Sequence, residues 1–277
     1  LIPWQELCQR TGAVLTILHM DRNCDLDLTQ LGQLLERDTA LVAVTWVSNV
    51  LGTVNPVGEI TMMSHAAGAM TVIDGAQAMK LPEIDVTAVD CDFLAFSGHK
   101  LGALTGIGVL YGKNGILSQL PPVRFGGGMI RESQYAASSY GGVPQRFEAG
   151  TPNYVGAISL SCAMEYLQSV GRIELAQQEQ ILTDLLRKEL AAIPEVTVIG
   201  TPNRPCGVVS FVVPGIHPFD LGAMLDSQGI AVRTGHMCAQ PLVNRLGYDS
   251  VIRVSPAFYN TEQEILGFIS ALKRTIP

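Results

Sequence analysis

The sequence predicts an α/β fold, in which a mostly parallel sheet carries helices on both faces and a smaller α/β domain follows at the C-terminus. The apolar runs at 40–47, 70–73 and 93–96 are short enough for strands, and near-continuous apolarity is typical of strands covered on both faces. Helical patterns at 28–37 and 62–67 lie between these runs. This alternation of strand and helix predicts a doubly wound sheet.

The other elements of the N-terminal half follow from local signals. Residues 1–12 predict a short helix closed by Gly12. Strands are expected at 13–18 and 107–111. Residues 119–153 contain repeated prolines and glycines without a lasting period, which predicts a long loop region. Loops of this length usually carry function, so we expect a functional role there.

The C-terminal half predicts two long bridging helices and then a second, smaller domain. Its expected elements are helices at 155–170 and 173–193, strands at 208–213, 230–233 and 251–255, a helix at 219–228, and a last helix opened by a capping box at Thr261 and Glu264. The predicted division is a cofactor-binding large domain at 1–154, bridging helices at 155–195 and a small domain at 196–277.

The composition excludes several classes of protein. Hydrophobic residues make up 47% of the 277 residues and the formal net charge is −7, so we expect a sizeable core and no nucleic-acid partner. No apolar run approaches the roughly 20 residues of a membrane span, so neither a span nor a signal peptide is expected. The six cysteines show no CxxC pair and no metal-ligand spacing, which favours reduced thiols in a cytoplasmic protein without a metal.

Polar side chains follow two neighbouring strands of the predicted sheet. Asp74 and Gln77 come after one strand, and the next strand along the chain is followed by Ser97, His99 and Lys100. Ligands of open α/β sheets bind beyond the carboxyl ends of the strands, so these side chains should face one crevice. Such a set suits a pyridoxal 5′-phosphate site. There the lysine forms a Schiff base, the carboxylate holds the pyridine nitrogen protonated, and small donors hold the phosphate.

Each of these residues also has a purely structural interpretation. A lysine at a strand end is usually just solvated, and Asp74 could form the turn before Gly75. Ser97 and His99 could be satisfied within their own turn. Their joint position favours function, because a carboxylate buried in a cleft needs a cationic partner and a protonated ring supplies one. The hydroxyl of Thr151 stays open between a phosphate ligand and a helix cap.

Cys238 differs from the other cysteines because it lies in a predicted loop shortly after Arg233 and His236. A nearby cation lowers the pKa of a thiol and favours the nucleophilic thiolate, whereas most free cysteines are buried small hydrophobes. Beside pyridoxal phosphate, a reactive thiol indicates attack on the sulfur of a substrate. Arg233 and Arg253 flank strands of the small domain, where they could bind an amino-acid carboxylate or form surface ion pairs.

Four motifs, VIDGAQ, FSGHK with TGIG, FEAGTPN and RTGHMCAQP, resemble those of the cysteine desulfurases, in the group that includes the selenocysteine lyases. These are fold-type I, class V aminotransferase-like enzymes that use pyridoxal phosphate, and the resemblance covers the whole sequence. It implies that Lys100 holds the cofactor, Asp74 pairs with the ring nitrogen and Gln77 reaches the ring hydroxyl. It also implies a phosphate site formed by Ser97 and His99.

The resemblance further implies how a substrate would be held. Asn49 would lie near the substrate amine and the ring. Arg253, with Arg233 nearby, would bind the substrate carboxylate. Thr151 would reach the cofactor phosphate of a partner subunit, so a homodimer is implied.

The reaction implied by the resemblance converts L-cysteine to L-alanine. Lys100 would move the α proton, and Cys238 would take the substrate sulfur as a persulfide, with His236 as a proton donor. The family passes this sulfur to an acceptor protein for iron–sulfur cluster assembly or other sulfur-containing products. A class V aminotransferase is a weaker alternative, because it would have no use for Cys238.

The sequence also departs from the pattern of the family. Gly102-Ala103-Leu104 stands where Tyr-Gly-Pro is usual, and Met237 stands where histidine commonly precedes the cysteine. The family has a further segment before the position of Leu1, with a histidine that stacks on the ring and a threonine at the phosphate, so we expect a piece of a longer protein. Two alternatives stay open: a selenocysteine lyase that acts on L-selenocysteine, and a catalytically incomplete chain that serves only as a binding partner.

Overall fold

The computed structural model of the chain describes residues 1–276. Its α-helices are α1 (Ile2–Thr11), α2 (Leu28–Leu35), α3 (Val57–Ala66), α4 (Val86–Val89), α5 (Asn114–Leu117), α6 (Tyr154–Val170), α7 (Arg172–Ala191), α8 (Pro218–Asp226), α9 (Gln240–Arg245) and α10 (Glu262–Thr275). Its strands are β1 (Leu41–Thr45), β2 (Met70–Asp74), β3 (Phe93–Ser97), β4 (Gly108–Gly112), β5 (Ile130–Ser133), β6 (Ser138–Tyr140), β7 (Thr197–Val198), β8 (Val209–Val212), β9 (Arg233–Gly235) and β10 (Val251–Val254). Short 3-10 helices span Ala78–Lys80, Gly98–Leu101 and Gln145–Phe147.

The first sheet has the strand order β1-β2-β3-β4. β1, β2 and β3 are parallel, and β4 pairs with β3 in the antiparallel direction. The predicted α/β fold with a mostly parallel sheet is therefore confirmed. Asp74 and Ser97 are the last residues of β2 and β3, so parallel pairing places both at the carboxyl edge of the sheet, where ligands bind in this architecture.

The core of the first sheet also holds the lysine-bearing turn in place. Ile73 of β2 and Leu94 of β3 are buried, and Leu101 and Leu160 pack in the same cluster. Burying an aliphatic side chain of this size contributes about 1.5–3 kcal/mol. Because Leu101 directly follows Lys100, its burial ties the 3-10 helix Gly98–Leu101 to the core.

The second sheet has the order β7-β8-β10-β9, and all of its pairings are antiparallel. Leu182, Leu186 and Leu190 recur every four residues along α7 and are fully buried in the cluster that covers this sheet. The predicted bridging helix α7 therefore packs on the C-terminal sheet. The capping box predicted at Thr261 is confirmed at the start of α10. The division of the chain into domains stays a prediction.

Two predicted strands are wrong. Residues 13–18 form no strand within residues 1–276, and Val14 is 88% exposed. An apolar pattern supplies no hydrogen bonds by itself. A strand needs the backbone N–H and C=O groups of a neighbouring strand as partners. The strand expected at 230–233 is displaced to β9, because the Ile230 N–H donates to the Leu225 carbonyl and so stays in the turn that ends α8.

The region predicted as a long loop contains regular structure. β5 and β6 pair as an antiparallel hairpin, and the 3-10 helix Gln145–Phe147 follows them. The four residues of β5, Ile-Arg-Glu-Ser, are all exposed and show no apolar alternation. A strand could therefore not be predicted there. The helix expected at 62–67 begins earlier, at Val57. Among residues 1–276, no helix is both long and apolar enough to cross a membrane.

Candidate active site

Lys100 lies on the 3-10 helix that follows β3 at the carboxyl edge of the first sheet. Gly98 opens this helix, and a Cβ atom there would lie 2.7 Å from Cγ2 of Ile107 and 3.2 Å from its carbonyl oxygen. Only glycine fits this close approach, and the Gly98 N–H donates to the Ile107 carbonyl at 2.9 Å. The turn that carries the lysine is therefore held by Ile107, the residue directly before β4.

Three of the predicted residues, Asp74, Arg253 and Cys238, act electrostatically on Lys100. Burial lowers the pKa of its ammonium group. The charge of Asp74 acts in the opposite direction, that of Arg253 lowers the pKa further, and that of Cys238 raises it. The pKa of Lys100 is thus influenced by residues from β2, from β10 and from the loop after β9.

Asp74 differs from the prediction in one respect, because its side chain is exposed rather than buried. It ends β2 with its backbone between Thr45 of β1 and Ala95 of β3. One carboxylate oxygen accepts a hydrogen bond from the Ala76 N–H at 2.9 Å, which fixes its orientation. β2 ends at the carboxyl edge of the sheet, so its last side chain faces solvent. Gln77, three residues on, is half-buried.

Ser97 and His99 form a hydrogen-bonded pair beside the lysine. Ser97 Oγ and His99 Nδ1 are 2.8 Å apart. Ser97 is half-buried and His99 is exposed, so the pair lies at the rim of the site. A hydroxyl and an imidazole at this position can both donate to an anion.

The cysteine loop, defined here as residues 236–239, joins β9 to α9. Cys238 is exposed and His236 is half-buried. Arg253 of β10 is paired with Arg233 of β9, which places both guanidinium-bearing residues at neighbouring positions of the sheet. Burial lowers the pKa of Arg253, and the positive charge of Arg233 lowers it further.

Asn49 connects the loop after β1 with the cysteine loop and with β10 of the C-terminal sheet. Its Nδ2 group donates to the Met237 carbonyl of the cysteine loop. Its backbone carbonyl accepts a hydrogen bond from Nη1 of Arg253 at 2.9 Å. Among the described residues the buried Nε of Arg253 has no hydrogen-bond partner, so this guanidinium retains a donor.

Two predicted residues lie on exposed parts of the molecule. Arg233 is exposed, although its strand neighbour Arg253 is half-buried. Thr151 is exposed on the segment before α6. It is not the cap of that helix, because the side chain of Asn153 accepts from the Gly156 N–H at the N-cap position.

Three residues that support the site were not predicted from the sequence. Met237 is buried, with 6% of its surface exposed. Arg172 of α7 donates to the carbonyls of Met79 and Leu81, at 3.1 and 2.7 Å, and holds the turn after Gln77. Glu179, also on α7, is buried, and burial raises its pKa. Met237 lies in the motif RTGHMCAQP, whereas Arg172 and Glu179 lie in no motif, and no local sequence signal marks the long-range contacts of any of the three.

The comparisons with known proteins agree with this geometry. The family described as Aminotransferase class-V matches residues 1–268. Cysteine desulfurases from Cronobacter sakazakii and Dickeya dadantii are 44% and 46% identical to the chain over 275 residues, which cover 99% of it and 68% and 66% of those relatives. The chain thus spans about two thirds of the length of these curated relatives.

Solved structures of cysteine desulfurases resemble the chain closely as well. One from Escherichia coli superposes with a TM-score of 0.95 at 34% identity, covering 99% of this chain and 68% of that one. One from Thermococcus onnurineus gives 0.96 at 37% identity, covering 100% and 69%. The chain belongs to the class-V aminotransferase family. Its predicted resemblance to the cysteine desulfurases within that family is confirmed.

Proposed function

We propose that the chain carries the cofactor and cysteine sites of a pyridoxal-phosphate-dependent cysteine desulfurase. One observation carries the proposal. Lys100 is half-buried, and Asp74, Arg253 and Cys238 all lie close enough to influence its pKa. An amine, a carboxylate, a guanidinium and a thiol in one site are the groups that this reaction requires. The named relatives support the same activity.

The residues of the site fit pyridoxal phosphate. Lys100 would bind the cofactor covalently, and because burial lowers its pKa, more of the amine is uncharged and nucleophilic. Asp74 would bind the protonated ring nitrogen, and Gln77 would reach the ring hydroxyl. Ser97 and His99 would hold the phosphate, consistent with their position at the rim. When bound, the cofactor supplies an electron sink for the α carbon of an amino acid.

The substrate carboxylate would be bound by Arg253, whose Nε lacks a partner among residues 1–276, with Arg233 beside it. Asn49 would lie next to the amine. Lys100, whose amine is partly desolvated, would take the α proton and return it to the organic fragment. These contacts would orient the substrate with its sulfur towards the cysteine loop.

Sulfur transfer would take place at Cys238. Its thiolate forms an S–S bond with the substrate sulfur while the C–S bond breaks, and the electron pair of that bond stays with the organic fragment. The fragment takes up a proton, for which half-buried His236 is the nearest candidate in the loop, and leaves as L-alanine. Cys238 then carries a persulfide, so L-cysteine and one enzyme thiol account for every atom.

Two properties of the surface support partners for this reaction. Cys238 is exposed, so an acceptor protein could reach the persulfide and take the sulfur for iron–sulfur clusters or other products.

Thr151 is exposed beside Tyr154, Val155 and Ile158, whose apolar side chains are also exposed at the start of α6. A second copy would cover this surface and receive Thr151 at its own phosphate site, which makes the proposed enzyme a homodimer. Six free cysteines are consistent with the cytoplasm.

The test combines spectroscopy with product analysis. The protein is mixed with pyridoxal phosphate and its visible absorption is recorded, and L-cysteine is then added and alanine is measured. Cys238→Ala should keep the absorption band and release alanine at least about 10²-fold more slowly, because the nucleophile is absent. Cys162→Ala removes another exposed cysteine and should match the wild type in both readouts. Undiminished alanine release by Cys238→Ala would contradict the proposal, and preferred turnover of L-selenocysteine would identify a selenocysteine lyase.

A further inference from the structure

The backbone of the cysteine loop adopts an unusual conformation. Met237 and Cys238 have φ angles of 54° and 60°, so two consecutive residues with side chains lie in the left-handed region. Non-glycine residues rarely occupy this region, and they persist there only where other contacts hold them. Gly235, just before the loop, also has a positive φ of 109°. The contacts that hold the loop therefore determine where Cys238 lies.

Met237 provides the first of these contacts. Its side chain is buried in a cluster with Val50, Val212 and Val243, whereas Cys238 on one side is exposed and His236 on the other is half-buried. An apolar thioether suits this cluster, while an imidazole ring at the same place would bring buried polar atoms that need partners. The residue before the cysteine is thus an anchor that points away from the thiol.

Asn49 provides the second contact. Its Nδ2 group donates to the carbonyl of Met237, which fixes the peptide group between Met237 and Cys238. The backbone of Asn49 is held in turn by Arg253, through the hydrogen bond from Nη1. The cysteine loop is therefore tied, through one asparagine, to the arginine that would bind the substrate carboxylate.

We propose that Met237 is a positioning residue that fixes Cys238 relative to Lys100 and Arg253 for sulfur transfer. This inference rests on the proposed function and deepens it. The buried side chain of Met237 and the hydrogen bond of its carbonyl together hold the left-handed backbone. That backbone turns the Cys238 side chain outwards, away from the cluster and towards the site.

The first test measures the loop itself by hydrogen exchange of backbone amides, with mass spectrometry of peptides that cover residues 234–245. Met237→Ala shortens the anchor, and we expect these amides to exchange about tenfold faster or more than in the wild type. Met237→Leu keeps a large apolar side chain and should exchange at nearly the wild-type rate. Val212→Ala is the matched control, because it shortens a buried residue of the same cluster outside the loop. Equal exchange of the loop in Met237→Ala and Val212→Ala would overturn the inference.

The second test measures sulfur transfer in the protein loaded with pyridoxal phosphate, by single-turnover formation of persulfide on Cys238. Met237→Ala should slow this step by about 10- to 100-fold, as a misplaced reacting group does, while the KM for L-cysteine changes little. Met237→Leu should restore most of the rate. A wild-type persulfide rate in a Met237→Ala protein whose loop exchanges faster would reduce Met237 to a purely structural role and overturn the inference.

The two tests separate this inference from the proposed function. If the wild-type protein releases no alanine from L-cysteine, the proposed function fails. The exchange comparison between Met237→Ala and Val212→Ala still decides whether Met237 anchors the loop.

Discussion

The two halves of the proposed active site are built in different ways. On the parallel sheet, Asp74 ends a strand and Lys100 follows three residues after the end of the next one, so their positions come from the strand and turn that carry them. On the antiparallel sheet, the position of Cys238 depends on Asn49, which contacts Met237 across 188 residues of sequence. Local sequence determines the first half, and long-range contacts determine the second.

This difference has a chemical consequence. The first half places its amine partly out of water, so that burial lowers the pKa of Lys100 and favours the uncharged form that reacts. The second half leaves Cys238 exposed, where its sulfur is accessible to an acceptor. The carboxyl edge of the sheet is suited to holding the proposed cofactor, and the exposed thiol of Cys238 is suited to passing sulfur to an acceptor.

The largest expected effect comes from the first half. Lys100→Ala should abolish the visible absorption band that the protein forms with pyridoxal phosphate, because no other amine takes its place in the turn. Alanine release from L-cysteine should fall by at least about 10²–10⁴-fold, since the proton-transfer group is also lost. Both are measured on the purified protein, by absorption and by amino-acid analysis.

Lys188→Ala is the matched control for this variant, because Lys188 is an exposed lysine of α7. It should keep the band and the turnover, as surface substitutions usually do. A band of normal intensity in Lys100→Ala would show that the parallel-sheet half does not bind the cofactor through this lysine. The comparison between the two halves would then lose its basis.

A second prediction concerns whether the two differently built regions unfold together. Leu94 of β3 and Leu186 of α7 are buried in separate cores, and each change to alanine should cost about 2–5 kcal/mol. The regions are tied by contacts such as Arg187 Nη2 to the Leu51 carbonyl at 3.2 Å. We therefore expect both variants, made in a Trp4→Phe background, to lower the urea midpoint measured by the fluorescence of Trp46, which lies in the first core.

The informative result is that of Leu186→Ala, since its core does not contain Trp46. An unchanged fluorescence midpoint, together with a lower midpoint by circular dichroism, would mean that the two sheets unfold independently. That outcome would support the predicted domain division at residues 154 and 196 and would contradict a single cooperative unit.

The same contrast explains what the sequence predicted and what it did not. Strands were predicted at 40–47, 70–73 and 93–96 and lie at 41–45, 70–74 and 93–97, because short apolar runs and the turns after them are local signals. The site residues Asp74, Ser97 and Lys100 followed from their places at those strand ends. The roles of Met237 and Arg172 could not be predicted, because each depends on which distant backbone group or cluster it meets.

The errors have a physical reason as well. Residues 13–18 have the apolar content of a strand but no neighbour within residues 1–276 to hydrogen-bond with. Asp74 was expected to be buried because the chemistry of a ring nitrogen suggested it, yet the strand ends at an open edge. Patterns in the sequence report the preferences of a segment, and they do not report what covers it.

The smallest expected effect concerns Glu179, which lies between the two regions. Its carboxylate accepts from the N–H of Phe258, in the segment between β10 and α10, at 3.2 Å and forms an ion pair with Lys80 of the first region at 3.5 Å. Glu179→Ala should cost about 1–3 kcal/mol, because the N–H of half-buried Phe258 loses its acceptor. Glu179→Gln keeps an acceptor for that N–H and should cost less in a urea unfolding experiment.

The dependence of this effect on pH tests the charge of Glu179 itself. Burial raises the pKa of Glu179, so the folded state binds its proton more tightly than the unfolded state, where the usual value is about 4.5. Stability from this group is therefore complete below about pH 4.5 and is lost as the pH rises through the raised pKa. Glu179→Gln has no such titration, so its stability relative to the wild type should increase with pH across this window. A difference that stays constant with pH would mean that the Lys80 ion pair compensates fully for burial, and that the carboxylate joins the two regions without an electrostatic cost.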